Sequence, residues 1–182
     1  MSSHSSNCIE IRPIRPDDGE RLRVSHARLS PESQYRRFLS TKPELTLADV
    51  HYLVDIDGSD HVALVTVDGD EIVAVARFVR LADDPGAAEF AIVVRDSYQD
   101  QGLGVALLGR LAAAAVQRGI RRFVATTLSD NLAVYRLMKT VAAGPLHIRR
   151  LDEVTEVEFD LPREMGQPTA VPAAMIAGCA GS

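Results

Sequence analysis

The most chemically informative stretch of the chain is Ile92-Val93-Val94-Arg95-Asp96-Ser97-Tyr98-Gln99-Asp100-Gln101-Gly102-Leu103-Gly104. An apolar, β-branched run leads into a loop with two glycines, and a helical pattern starts directly behind it. That order points the unpaired N–H groups and the positive end of a helix at one spot. An anion is the natural occupant, a phosphate above all. Glycine has no Cβ, so the backbone can approach such a ligand closely. Two common nucleotide loops do not fit. A P-loop needs Lys and Ser or Thr after its last glycine, and Val105-Ala106 follow here. A dinucleotide fingerprint needs a third small residue where Leu107 stands. Earlier in the same strand, alternation puts Glu89 on one face with Ala91 and Val93. A carboxylate on an apolar face holds its proton more readily, as a base working near neutral pH must. The strand start also offers Glu89 a route to solvent, and alternation leaves both open.

The elements that must position these residues follow from pattern and punctuation. Cys8 to Ile14 alternates as a first strand. Pro16-Asp17-Asp18 opens a helix with Asp17 as cap, and Ser30-Pro31 opens a second with Ser30 as cap. Thr46 to Val54 is a third, capped by Thr46. His61 to Asp68, Glu71 to Leu81 and Ala87 to Arg95 are strands, joined by turns at Asp68-Gly69-Asp70 and Asp83-Asp84-Pro85-Gly86. They should form an antiparallel meander. Gly102 to Arg118 is helical, with Gly119 as its stop. A strand at Arg122 to Thr127, a helix at Asp130 to Ala142 and two strands between Leu146 and Leu161 complete the pattern. The expected domain is residues 8–162, between flexible tails at 1–7 and 163–182. The fold class is mixed α/β.

Bulk properties narrow the classes. A chain of 182 residues with 46% hydrophobic and 25% charged content suits one globular domain. A net charge of −5 argues against a nucleic-acid surface. No run is long and apolar enough to span a membrane, and no secretory signal precedes Cys8, so the expected place is the cytoplasm. Cys8 and Cys179 are too few for a disulfide framework and have no metal spacing; the five histidines have none either. No metal site is expected. Arg36-Arg37 suits an acidic protein substrate or a plain surface face.

The spacing Gln99-x-x-Gly102-x-Gly104 resembles the acyl-CoA loop of the GNAT superfamily of N-acetyltransferases. The order of elements from residue 9 to residue 161 resembles that family too. Ala88-Glu89-Phe90-Ala91 and the segment Leu29 to Phe38 are similar to its bacterial protein lysine acetyltransferase branch. The resemblance implies a mostly antiparallel twisted sheet of about six or seven strands, helices on both faces, and strands splayed at the CoA site. It implies acetyl-CoA as co-substrate. Ile92, Val93 and Val94 would pair with pantetheine through backbone groups, and Gln99, Asp100, Gln101, Gly102, Leu103, Gly104 and Val105 would hold the pyrophosphate. Asn131 would lie near pantetheine, although Ser129-Asp130-Asn131 also reads as a helix cap.

Transfer of acetyl to an amine needs a base for the ammonium and a donor for the thioester oxygen. The resemblance makes Glu89 the base. It offers Tyr135 as an acid for the leaving thiolate, although the family's tyrosine falls farther along the helix, where Met138 stands. The acceptor is a protein lysine on this resemblance. A small amine acceptor and a non-catalytic acyl-CoA sensor remain the alternatives. Oligomeric state is not encoded in any visible pattern.

Overall fold

The computed structural model describes residues 9–39, 42, 44–166 and 170–172. Seven strands form one sheet: β1 (Ile9–Pro13), β2 (His61–Asp68), β3 (Glu71–Arg80), β4 (Ala87–Val94), β5 (Arg122–Leu128), β6 (His147–Leu151) and β7 (Val154–Asp160). Their spatial order is β1-β2-β3-β4-β5-β7-β6. Every pair is antiparallel except β4–β5. A parallel pair needs a crossover, and α4 (Leu103–Gln117) supplies it. The other helices are α1 (Gly19–Ala27), α2 (Pro31–Phe38), α3 (Leu47–Val54) and α5 (Leu132–Lys139).

Helices cover both faces, as expected. Alternation in β4 sends Phe90, Ile92 and Val94 to the core shared with α4 and α5. Val93 turns the other way, into a second core with Leu22 of α1 and Leu53 of α3. The α4 stripe of Leu103, Leu107, Leu108 and Leu111 is fully buried, which fixes that helix across the sheet.

The parallel pair determines the site. β4 and β5 are in register only over Ala87–Glu89 and Arg122–Val124. Beyond that point they part. Four phenylalanines sit at the paired end: Phe90 stacks on Phe123 at 5.0 Å, and Phe159 meets both edge-on at 5.9 and 6.1 Å. Phe78 closes the cluster 6.1 Å from Phe123. Close aromatic packing pins the root of the fork.

Several boundaries differ from the sequence reading. The first helix begins as a 3-10 turn over Pro16–Asp18, and Asp18 rather than Asp17 performs the capping. Its carboxylate accepts from the Arg15 N–H at 2.8 Å and forms a fork with buried Arg12 at 2.7 and 2.8 Å. The helix expected over Asp130 to Ala142 is shorter, Leu132–Lys139. The tail expected beyond residue 162 returns to the domain: Met165 packs on the core, and Val171 is buried in it. Cys8 and Cys179, with most of both expected tails, lie outside the described residues. Ser30 and Thr46 cap α2 and α3 as expected, accepting from Ser33 N–H and Asp49 N–H. No described helix is long and apolar enough to cross a membrane.

Candidate active site

Where β4 and β5 separate, a cleft of about 350 Å³ opens between them. Ile92, Val93 and Val94 form one wall, Ala125 to Thr127 the other, and the start of α4 closes one end. From Phe90 onward β4 is paired only to β3. Half of its peptide groups there face the cleft with no strand beside them. Such groups are obligatory hydrogen-bonding partners for an extended amide chain.

The glycine loop sits at the cleft's end. Gly102 has φ +81°, a conformation suited to glycine, and is the N-terminal cap of α4. The first helical bond runs from Ala106 N–H to the Gly102 carbonyl. The amides of Gly102, Leu103, Gly104 and Val105 therefore donate to no described backbone acceptor. They form a cradle for an anion at a helix start. Gln99, Asp100, Gly102, Gly104 and Val105 line the cleft. Gln99 anchors the loop by donating to the Val94 carbonyl at 2.9 Å. Two of the expected residues have side chains turned away from the cleft. Leu103 is buried in the core, and Gln101 turns back to the Ser97 carbonyl at 2.8 Å.

Asn131 lines the cleft and caps α5, accepting from Val134 N–H and donating to Thr127 Oγ1 at 3.2 Å. The cap reading holds, and the capping residue also stands on the cleft wall. Tyr135 is not among the residues that line the cleft. Val134, Leu137 and Met138 line the cleft, while Val134, Tyr135 and Leu137 all pack against the main core. The one-turn offset from Asn131 is itself present, since the Tyr135 N–H donates to the Asn131 carbonyl at 3.4 Å.

Glu89 is exposed at the paired end of β4 and faces a second cavity, of about 310 Å³. Phe90, Ala91 and Arg37 line both spaces, so the cavity adjoins the cleft where the strands divide. The face expected to be apolar around Glu89 is cationic instead. Arg37 and Arg77 stand there, with Lys42 paired to Asp49 at 2.6 Å. Arg37 is half-buried, which corrects its reading as a surface residue; Arg36 pairs with Glu32 at 2.6 Å. Burial pulls the Arg37 guanidinium below the usual arginine value, and the Glu89 charge opposes that pull. Arg77 was missed altogether. Its signal was present, an arginine between the buried Ala76 and Phe78 in the middle of an apolar strand. Among the described residues, no group of His, Cys, Asp and Glu is placed to hold a metal ion.

Comparison with known proteins agrees with this geometry. Residues 27–141 match the profile of the "Acetyltransferase (GNAT) family". The chain is 36% identical over 154 residues to acetyltransferase Pat of Mycolicibacterium smegmatis, covering 84% of this chain and 45% of that protein. It therefore spans less than half the length of that relative. It is 34% identical over 151 residues to acetyltransferase PA5475 of Pseudomonas aeruginosa, covering 81% of this chain and 80% of that one. The GNAT domain of S. lividans PAT superposes with a TM-score of 0.76 at 33% identity, over 88% of this chain and 100% of that domain. A forked parallel pair, an amide cradle at the fork's end and a sequence match across most of the domain converge on one assignment: the chain belongs to the acetyltransferase (GNAT) family.

Proposed function

We propose that this acetyltransferase moves the acetyl group of acetyl-CoA to the ε-amino group of a protein lysine, with Glu89 as general base. The observation that carries the donor reading is the fork. Its free β4 edge suits the amides of pantetheine, and the unpaired N–H groups of Gly102 to Val105 suit a pyrophosphate. The acceptor reading rests on Glu89, which faces a separate opening at the root of the same fork. Donor and acceptor then approach from opposite sides.

The chemistry follows from that placement. An alkyl ammonium must lose a proton before it can attack. Glu89 takes that proton. The freed nitrogen attacks the thioester carbon, the C–N bond forms and the C–S bond breaks. The departing sulfur takes up the second nitrogen proton through water, and Glu89 returns its own to solvent. N–H groups on the free edge of β4 are donors for the charge that gathers on the thioester oxygen. With Tyr135 outside the cleft, water serves as the acid, and a thiol of ordinary acidity permits this.

The test is an acetyl-CoA assay on a panel of proteins, with mass spectrometry locating acetylated lysines. Glu89→Gln should lose at least about a hundredfold in turnover and keep its CoA affinity. Unchanged turnover would remove Glu89 from the mechanism. Acetylation of free small amines alone would remove the protein acceptor.

A further inference from the structure

The cavity beside Glu89 holds more positive charge than its own residues neutralise. Lys42 is matched by Asp49. Arg77 is 5% exposed and donates only to neutral partners, the Leu53 carbonyl at 3.0 Å and His61 Nε2 at 3.1 Å. Its Nε has no partner at all. Arg37 makes no side-chain hydrogen bond among the described residues, and its guanidinium lies 4.8 Å from the Phe38 ring centre. Burial, with the Arg37 charge adding to it, pushes Arg77 down to about 10. A buried cation without an anion is costly, so a fold that keeps Arg77 buried beside half-buried Arg37 gains from a ligand that answers them.

Glu89 answers only one of the two charges, and it is committed to the incoming ammonium. An acceptor bringing only a positive charge would enter a cavity that already repels it. We propose that Arg37, backed by Arg77, binds a carboxylate carried by the acceptor close to its reacting amine. This rests on the acceptor-side reading of Glu89. A guanidinium fork matches a carboxylate in shape and charge. With Glu89 ionised and Lys42 matched by Asp49, the cavity's own residues carry one net positive charge, which one carboxylate cancels and a phosphate dianion overshoots. The carboxylate has two sources. It is an Asp or Glu side chain flanking a lysine in a protein, or the α-carboxylate of a free amino acid.

Two matched acceptor pairs test this. One is a blocked peptide with Asp next to its lysine, against the same peptide with Asn. The other is Nα-acetyl-lysine against its amide. For at least one pair the carboxylate member should have the higher kcat/KM, by about tenfold or more, in keeping with a charge-assisted bond. Preference within the peptide pair identifies the protein-borne source; preference within the lysine pair identifies the free amino acid. Arg37→Gln should bring that ratio to about one, and Arg37→Lys should keep part of it. Equal kcat/KM within both wild-type pairs overturns the proposal, as does a wild-type ratio retained by Arg37→Gln. Titration of the Nε-acetylated products in the presence of CoA should show the same preference without turnover. If no acceptor is acetylated, the base reading fails, and this titration still decides the carboxylate site.

Discussion

Ser30 donates both its backbone N–H, at 3.1 Å, and its hydroxyl, at 2.8 Å, to the carboxylate of Asp96. Ser33 adds a third bond to the same carboxylate at 2.9 Å. Burial works against this charge, but the serine bonds outweigh it and hold the Asp96 carboxyl below its usual range. Ser30 caps α2, which carries Arg37, and Asp96 lies in the turn between β4 and the glycine loop. One carboxylate thus ties the acceptor side to the donor side.

Asp96→Ala should loosen that tie. Three lost bonds at about 1 kcal/mol each correspond to a loss of about 2–3 kcal/mol in urea unfolding. The acceptor KM should rise by a larger factor than CoA affinity falls, because α2 moves while the loop keeps its Gln99 anchor to the Val94 carbonyl. Steady-state kinetics and CoA titration separate the two. Equal losses on both sides would show that Asp96 does not couple them.

Gly104 tests the donor cleft without straining the chain. A Cβ there would meet Val94 and Leu137 at 3.6 Å, which is ordinary contact. Its place in the first turn of α4 makes alanine neutral or stabilising, by up to about 1 kcal/mol. The added methyl projects between two cleft walls. Gly104→Ala should therefore weaken CoA binding by about tenfold, or about 1.4 kcal/mol, with an unchanged or higher melting temperature. Calorimetric titration and a thermal melt check both parts.

Asp18 tests the support of the first strand and first helix. Arg12 and Asp18 are 7% and 1% exposed, and their pair is bidentate. Asp18→Ala leaves a buried guanidinium unanswered and should cost about 3–5 kcal/mol. The Arg12 hydrogen bonds hold the Asp18 carboxyl below its usual value, against the opposing effect of burial. That contribution is present above the unfolded carboxyl value, about 4, and is lost as pH falls through the lowered folded value. Acid unfolding of Asp18→Ala should accordingly show a flatter pH dependence below about 4.

Tyr98 tests the alkaline side. Burial and the bond from its hydroxyl to Asp68 at 2.6 Å raise the phenol to about 12. The unfolded chain releases this proton near 10, so stability falls as pH rises from about 10 towards about 12. Tyr98→Phe should lose about 1–2 kcal/mol at neutral pH and show less of this alkaline decline. Denaturation measured across that range checks the slope.

What the residue order alone determined was local. The caps at Ser30 and Thr46, the stop at Gly119 and the limits of β2 rest on contacts within a few residues, and they were legible from residue type and spacing. The loop from Gln99 to Gly104 was legible for the same reason, since an amide cradle needs only its own backbone and the helix behind it. Tertiary structure decided what those pieces enclose. β4 and β5 part after Glu89 and Val124 because packing of Phe78, Phe90, Phe123 and Phe159 holds only the near end together. Val171 returns to the main core from a stretch without periodicity. Arg37 stands beside Glu89 because Asp96 fastens α2 to the turn after β4. Each of these placements joins residues distant in the chain, and side-chain period and turn chemistry carry no information about such distances.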